Sequence, residues 1–272
     1  MSDSFKYRLL FVGVNATPDA EPLYAAARDA LAMSGRFRGW GYDDPERNRV
    51  LVSEDATPAR VLDEVRNAIA EPDLDLLLIY WAGHLRQKGR GHLLATHGGR
   101  GEIDCTVGLD VLTSALCLAT GVRHRVLVLD TCNGAAAVTH LAGLSRYVAE
   151  GECLAVLAGC AADAQAREYH RRGYFTGALL EQLPPDTRGV PPKIDLLQAL
   201  RAGVELLASR RHQQAFISIA GSSAPLYLPA IDPEPVAART VSPFAGRSRQ
   251  PASAPVSALR ATGRASASGH RG

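Results

Sequence analysis

The sequence has no long apolar run, no closely spaced cysteine pair and no large excess of charge of either sign. No apolar stretch reaches the roughly 18 residues that a membrane-spanning helix needs, so we expect no membrane span. The five cysteines form no Cys-x-x-Cys pair, and their odd number and wide spacing argue against a disulfide framework and a structural zinc site. The 30 basic and 28 acidic residues are interspersed and leave a net charge of +2, which gives no support to nucleic-acid binding.

The first residues of the chain also lack a targeting pattern. Met1 to Lys6 are polar and charged and show no signal peptide, so we expect a cytoplasmic protein with reduced thiols. From about Asp232 the composition shifts to Pro, Ala, Ser, Gly and Arg, which cannot bury enough apolar surface to offset the entropy of ordering. We therefore predict one domain over residues 1–230 and a disordered tail over residues 231–272. The tail is interpreted either as a basic docking arm or, more simply, as a solvated extension.

One short segment carries the first chemical signal. Val126 to Leu129 are four apolar residues that follow a polar turn, a pattern typical of a strand buried on both faces in a parallel sheet. Cys132 comes three residues after this run, where open α/β sheets place their ligands and chemistry. A free cysteine more often only fills space in a core, so the interpretation of Cys132 as a nucleophile depends on its surroundings.

A second buried strand provides those surroundings. Leu76 to Trp81 is apolar and leads through Ala-Gly into His84, so this histidine also follows the carboxyl end of a predicted parallel strand. A lone histidine is usually an ordinary polar loop residue. If the two strands are neighbours, however, His84 faces Cys132 across one sheet edge, and a thiol needs such a base to become the reactive thiolate.

The rest of the pattern predicts an α/β domain with a parallel sheet. Further strands are predicted at Tyr7–Val14, Leu154–Leu157 and Ala215–Ile219, with one or both of two weaker candidates at Gly39–Tyr42 and Asn48–Val52. Alanine- and leucine-rich segments between them have helical spacing, and Thr57-Pro58 is typical of a helix start. Strands separated by helices of this size indicate crossover connections between parallel strands.

These segments together resemble a known family. Tyr80 to His84 and Val126 to Cys132 resemble the His and Cys boxes of caspase-like cysteine peptidases, the group that includes metacaspases, paracaspases and bacterial relatives. The similarity extends to about residue 228 through the segments Tyr7–Asn15, Ala27–Ala30, Ala158–Glu168 and Gly173–Leu180. The resemblance implies a caspase-like three-layer α/β sandwich, with a mostly parallel central sheet and helices on both faces.

The resemblance also implies a mechanism. Cys132 would attack a peptide carbonyl while His84 handles the proton, and the oxyanion would be held by the backbone N–H groups of Cys132 and Leu85. Relatives usually carry glycine where this chain has Leu85, and Ser-Gly one residue beyond the cysteine where this chain has Gly134-Ala135. Neither departure removes a catalytic group, but together they leave open a weakened or substrate-restricted enzyme.

Three acidic residues are candidates for substrate binding. By resemblance Asp29 and Asp130 line the pocket for the residue before the cut, which predicts cleavage after Arg or Lys, and Glu168 borders the substrate cleft. Each could instead have a structural role, as a helix cap, a surface helix charge or a solvated loop charge. No dense acidic cluster stands where calcium-dependent relatives have one, so we expect no metal and no cofactor.

The resemblance implies that the chain acts on protein or peptide substrates, and it is compatible with a regulatory partner. Its bacterial relatives are often tied to stress or phage-defence systems. The alternative is a caspase-fold interaction module in which the His84–Cys132 pair is inert and partner binding matters.

Overall fold

A computed structural model describes residues 5–17, 20–98, 105–161, 164–185, 193–210, 213–222 and 224–229. The predicted tail, residues 231–272, lies outside these ranges, so the tail and the domain boundary at residue 230 remain predictions. The helices are α1 (Ala26–Gly39), α2 (Pro58–Ala70), α3 (Leu109–Leu118), α4 (Ala135–Leu144), α5 (Tyr174–Gln182) and α6 (Leu196–Ser209). The strands are β1 (Tyr7–Gly13), β2 (Asn48–Val52), β3 (Leu74–Gly83), β4 (Leu85–Lys88), β5 (Gly91–Ala95), β6 (Thr106–Gly108), β7 (Val122–Thr131), β8 (Cys153–Ala158), β9 (Glu168–Tyr169), β10 (Arg172–Gly173), β11 (Lys193–Asp195), β12 (Phe216–Gly221) and β13 (Tyr227–Pro229).

A six-stranded sheet forms the middle layer, with the strand order β12-β8-β7-β3-β1-β2. The pairs β1–β2, β1–β3, β3–β7 and β7–β8 are parallel, and only the edge strand β12 runs antiparallel to its neighbour β8. Parallel neighbours need a crossover between them, which is why helices alternate with the strands along the chain. The two longest strands, β3 and β7, lie side by side near the centre of the sheet.

Each face of this sheet is covered by three helices. Along β3, Leu76, Leu78 and Tyr80 pack with α1, α5 and α6, whereas the alternate residues pack with α2, α3 and α4 on the other face. This alternation follows from the pleat of a strand, whose successive side chains point to opposite faces. The predicted fold class, an α/β sandwich with a mostly parallel sheet and helices on both faces, is confirmed.

Local signals explain several boundaries. Helix α2 begins where Thr57-Pro58 predicts it, and the Thr57 side chain accepts a hydrogen bond from the Arg60 N–H. Of the two weaker strand candidates only Asn48–Val52 is a strand, since Gly39 ends α1. Helix α1 spans Ala26–Gly39, whereas the alanine-rich pattern of the sequence predicts a helix over Pro22–Ser34. Across the described residues no helix combines the length and the apolar character that crossing a membrane would require.

Strand β7 corrects the sequence-based prediction at its start. It begins at Val122, so the polar residues before the apolar run belong to the strand, and Arg125 is fully buried within it. Its guanidinium donates to the carbonyl oxygens that end α3, those of Leu116 at 3.1 Å and Ala119 at 3.2 Å, and pairs with Glu152. A buried charge persists only when it is paired and hydrogen-bonded, and this network meets both conditions.

Candidate active site

The sheet brings the two predicted catalytic residues to adjacent positions. Strands β3 and β7 are parallel neighbours, and their last paired residues are Gly83 and Thr131. The next residue on each strand is His84 on one side and Cys132 on the other. Because neighbouring strands lie about 4.8 Å apart, the two residues leave the same sheet edge side by side. The sequence-based expectation that the strands are neighbours is therefore confirmed.

Cys132 lies between the end of a strand and the start of a helix. Its side chain is half-buried, and its Sγ accepts a hydrogen bond from the backbone N–H of Ala166 at 3.3 Å. Asn133 then adopts a left-handed conformation, with φ at 55°, which turns the chain into α4. A donor aimed at the sulfur and a nearby helix N-terminus are features that accompany reactive thiols.

His84 is held through one ring nitrogen. Its Nε2 lies 2.9 Å from the carbonyl oxygen of Glu21, and since a carbonyl only accepts, Nε2 carries the proton. In the neutral ring Nδ1 is then free of hydrogen and able to accept a proton. Burial, aided by the positive charge of Arg86, lowers the pKa of His84, although the Glu21 carbonyl opposes this shift. His84 is consequently neutral at neutral pH, which is the form a general base requires.

Asp29 has a buried carboxyl group, and one of its two oxygens accepts no hydrogen bond within the described residues. Its Oδ2 accepts a hydrogen bond from the Gly173 N–H at 2.7 Å, whereas its buried Oδ1 has no hydrogen-bond partner among the described residues. Burial, and then the charge of nearby Asp130, raise the pKa of Asp29 to about 8. A cation that approaches such a buried carboxyl group strongly stabilises its ionised form.

Asp130 is the better satisfied of the two carboxyl groups. Its Oδ2 accepts hydrogen bonds from the Thr176 N–H at 3.2 Å and from the Thr176 hydroxyl at 2.6 Å. Because the Thr176 hydroxyl donates to Asp130, the Tyr80 hydroxyl at 2.5 Å donates to Thr176 in turn. Burial raises the pKa of Asp130 to about 6, and the two hydrogen bonds from Thr176 limit the rise.

A narrow pocket joins these groups. Cys132, Asp29, Asp130 and Glu168 all contribute to its lining, and its cavity volume is about 20 Å³, room for little more than a water molecule. Gly173 lies against both carboxylates, so that a Cβ at this position would collide with Asp130 and press on Asp29.

Arg172 approaches the same pocket from the protein itself. Its Nε is 3.9 Å from Asp29 Oδ1, while its aliphatic stem passes over Gly177 of α5. The side chain of Arg172 is 47% exposed, compared with 2% for Asp29. The guanidinium therefore partly neutralises a buried charge while remaining in contact with water.

The other two candidate residues, Glu168 and Leu85, make contacts with other parts of the domain. The Glu168 carboxylate accepts hydrogen bonds from the backbone N–H groups of Tyr24, at 3.0 Å, and Ala25, at 3.1 Å. The Leu85 side chain is buried in the core on the face of α2, α3 and α4, so only its backbone N–H is available for chemistry. The role of each in binding substrate stays a prediction.

Several residues of the site, Arg172 and Tyr80 among them, were not among the predicted site residues. Gly173 and Thr176 lie in the Gly-Tyr-Phe-Thr run, and that run was the available signal. Glu21 and Ala166 act through backbone atoms, which leave no signature in the sequence. Within the described ranges no three His, Cys, Asp or Glu side chains are grouped so that they could hold a metal ion, and all five cysteines are free.

Comparison with known proteins reveals the same architecture in two solved structures. No protein-family model matches the chain, and no curated protein matches it. Protein GSU0716 from Geobacter sulfurreducens superposes with a TM-score of 0.58 at 18% identity, covering 81% of this chain and 95% of the other. Caspase-1 from Spodoptera frugiperda superposes with a TM-score of 0.54 at 12% identity, covering 80% of this chain and 86% of the other. At these identities the likeness establishes a caspase-like fold.

Proposed function

We propose that the protein is a cysteine endopeptidase that cleaves protein or peptide substrates after arginine or lysine, with Cys132 as nucleophile and His84 as general base. The observation that carries the proposal is the shared pocket, which places two buried carboxyl groups, Asp29 and Asp130, beside the candidate nucleophile. The caspase-like fold supports the same reaction class. A setting in bacterial stress or phage defence rests on the sequence resemblance.

The chemistry begins with transfer of the Cys132 thiol proton to Nδ1 of neutral His84. The thiolate attacks the carbonyl carbon of the scissile bond, and the resulting oxyanion is stabilised by the backbone N–H groups of Cys132 and Leu85. Collapse of this intermediate breaks the C–N bond, and protonated His84 returns its proton to the leaving amine. Water, deprotonated by His84, then hydrolyses the thioester and regenerates the Cys132 thiol.

Specificity for a basic residue follows from charge. A guanidinium can bind a carboxylate through two parallel hydrogen bonds, and Oδ1 of Asp29, which accepts no hydrogen bond within the described residues, can accept one. A lysine ammonium supplies the charge without the paired geometry and ranks second. An aspartate before the cut would face the ionised Asp130, and like-charge repulsion of several kcal/mol would suppress its cleavage about a thousandfold.

The test compares fluorogenic peptides that end in Arg, Lys, Asp or Leu. We expect cleavage in the order Arg, then Lys, with both Cys132→Ala and His84→Ala nearly inactive, because nucleophile and base act as one unit. The matched control is Cys160→Ala, which removes a fully buried thiol whose Sγ is hydrogen-bonded to the Thr131 carbonyl. Retained activity in Cys132→Ala, a preference for Asp or Leu, or an unchanged Arg preference in Asp130→Asn would contradict the proposal.

The narrowness of the pocket favours a second candidate, an inert interaction module with the same fold. The cavity beside Cys132, about 20 Å³, is small for the side chain of arginine, whereas an inert module needs no substrate pocket. A peptide carrying a thiol-reactive warhead distinguishes the two functions. Faster labelling of Cys132 in wild type than in His84→Ala supports the enzyme, whereas equal labelling at neutral pH supports the module.

A further inference from the structure

The segment Glu21–Ala25 contacts the catalytic histidine at one end and Glu168 at the other. At its beginning the carbonyl of Glu21 accepts the Nε2–H of His84 at 2.9 Å. At its end the N–H groups of Tyr24 and Ala25 donate to the two oxygens of Glu168, at 3.0 and 3.1 Å. The two contacts lie only three to four positions apart in the chain, and they join the segment to His84 after β3 and to Glu168 at the start of β9.

The contact with Glu168 satisfies a need of helix α1. The first N–H groups of a helix have no partner within it, and the N-cap residue, Ala25, has no side-chain oxygen to offer. Glu168 supplies this cap from 143 residues away, with a negative charge at the positive end of the helix dipole. Both of its oxygens are committed to these bonds.

A second anchor shows which part of the segment depends on Glu168. The Asn15 carbonyl accepts the Leu23 N–H at 2.7 Å, and the Asn15 side chain accepts the Ala27 N–H at 2.9 Å. Asn15 follows β1, so it ties the segment to the sheet. Glu168, at the start of β9, ties it to the short β9–β10 hairpin on the far side of Asp29. Removing Glu168 leaves the segment fixed from one side alone.

We propose that Glu168 is a positioning residue that orients His84 by holding Glu21–Ala25 in place. The inference rests on the proposed His84–Cys132 dyad and assigns Glu168 a role other than direct contact with substrate. The Glu21 carbonyl fixes the proton on Nε2 and so keeps Nδ1 ready to take the proton of Cys132. A shift of this carbonyl by a fraction of an ångström loosens the ring, and well-oriented catalytic groups are sensitive to such displacement.

The experiment measures the rate at which iodoacetamide alkylates Cys132 at pH 7, followed by mass spectrometry of the Cys132 peptide, which needs no substrate. We expect Glu168→Ala to lower the rate about tenfold, towards that of His84→Ala, and Glu168→Gln to be about threefold slower than wild type, since its amide keeps one acceptor oxygen. Glu205→Ala, on the exposed face of α6, is the matched control: it removes one acidic side chain outside the pocket, and its rate should equal that of wild type.

Nitrogen-15 NMR of His84 gives a readout that loss of stability alone does not change. We expect a single tautomer protonated at Nε2 in wild type and in Glu205→Ala, and a mixture of tautomers in the two Glu168 variants. If Glu168→Ala does not fold, Glu168→Gln decides the matter by the same two measurements. A wild-type rate with a single tautomer in the Glu168 variants overturns the inference, provided that His84→Ala is slow. If His84→Ala reacts as fast as wild type, the dyad itself is wrong and the proposed function fails.

Discussion

Raising the pH from 6 to 9 should strengthen the binding of a guanidinium ligand to the pocket of Asp29 and Asp130. The buried Asp29 has a pKa of about 8, so at neutral pH it mostly carries a proton and attracts a cation weakly. A bound guanidinium needs the charged carboxylate and must therefore expel this proton. Binding and ionisation of Asp29 are thus linked.

The magnitude follows from the ionised fraction of Asp29. With a pKa of about 8, about one-tenth of the Asp29 carboxyls are charged at pH 7, so the apparent affinity is lowered about tenfold relative to the fully charged form. At pH 6 the loss is about a hundredfold, and near pH 9 it disappears. Asp130, with a pKa of about 6, is already ionised at pH 7 and adds a smaller effect at the acidic end.

The assay uses Cys132→Ala, which lacks the proposed nucleophile, and benzamidine as the guanidinium-like probe. Isothermal titration calorimetry at pH 6, 7, 8 and 9 gives the affinity, and buffers of different ionisation enthalpy give the protons released. We expect an affinity that rises about tenfold per pH unit from 6 to 7 and levels off above 8, with about one proton released per ligand at pH 7.

The control variant, Asp29→Asn, has no carboxyl proton to release at this position. In Asp29→Asn the residual affinity should not depend on pH above about 7, because the remaining carboxyl group, Asp130, is ionised there. Two results would refute the proposed link between guanidinium binding and ionisation of Asp29. One is an affinity in Cys132→Ala that stays constant between pH 6 and 9, and the other is binding without proton release at pH 7.

Two further substitutions test the surroundings of the pocket and the core. Arg172→Ala should lower the KM for arginine substrates about threefold, because the half-exposed guanidinium of Arg172, 3.9 Å from Asp29, competes with the substrate. Arg172→Lys, which keeps the positive charge, is the control. A higher KM in Arg172→Ala would contradict the prediction. Arg125→Leu should lower the free energy of unfolding, measured by urea denaturation, by about 3–5 kcal/mol, because it leaves Glu152 and the carbonyl groups that end α3 without their partner. A loss below about 1 kcal/mol would show that the network contributes little to stability.

The parts of the fold that the sequence predicted are those with strong local patterns. β3 and β8 contain apolar runs typical of a buried parallel strand, and Thr57-Pro58 marks the start of α2. Arg125 shows where such reasoning fails, because a charged residue beside an apolar run indicates a turn. Its burial depends on Glu152 and on the end of α3, partners that no local window contains.

The candidate site divides in the same way. Residues at the ends of β3 and β7 are predictable, since parallel strands bring their carboxyl ends to one edge. The contact between Glu168 and the start of α1 joins residues 143 and 144 positions apart and uses backbone donors. The sequence marks Glu168 as an acidic residue of the cleft but does not indicate which atoms it meets.

The two sides of the pocket rest on elements of very different size. Cys132 and His84 follow the long central strands β3 and β7, whose amides should exchange with solvent only when the whole domain unfolds. The opposite side is the β9–β10 hairpin, two residues per strand, with His170 and Arg171 in the left-handed region at its turn. Such a unit opens locally and at low free energy. Under mild denaturing conditions the hairpin that carries Glu168 and Gly173 should therefore open before the central sheet that carries Asp130 and leads into Cys132.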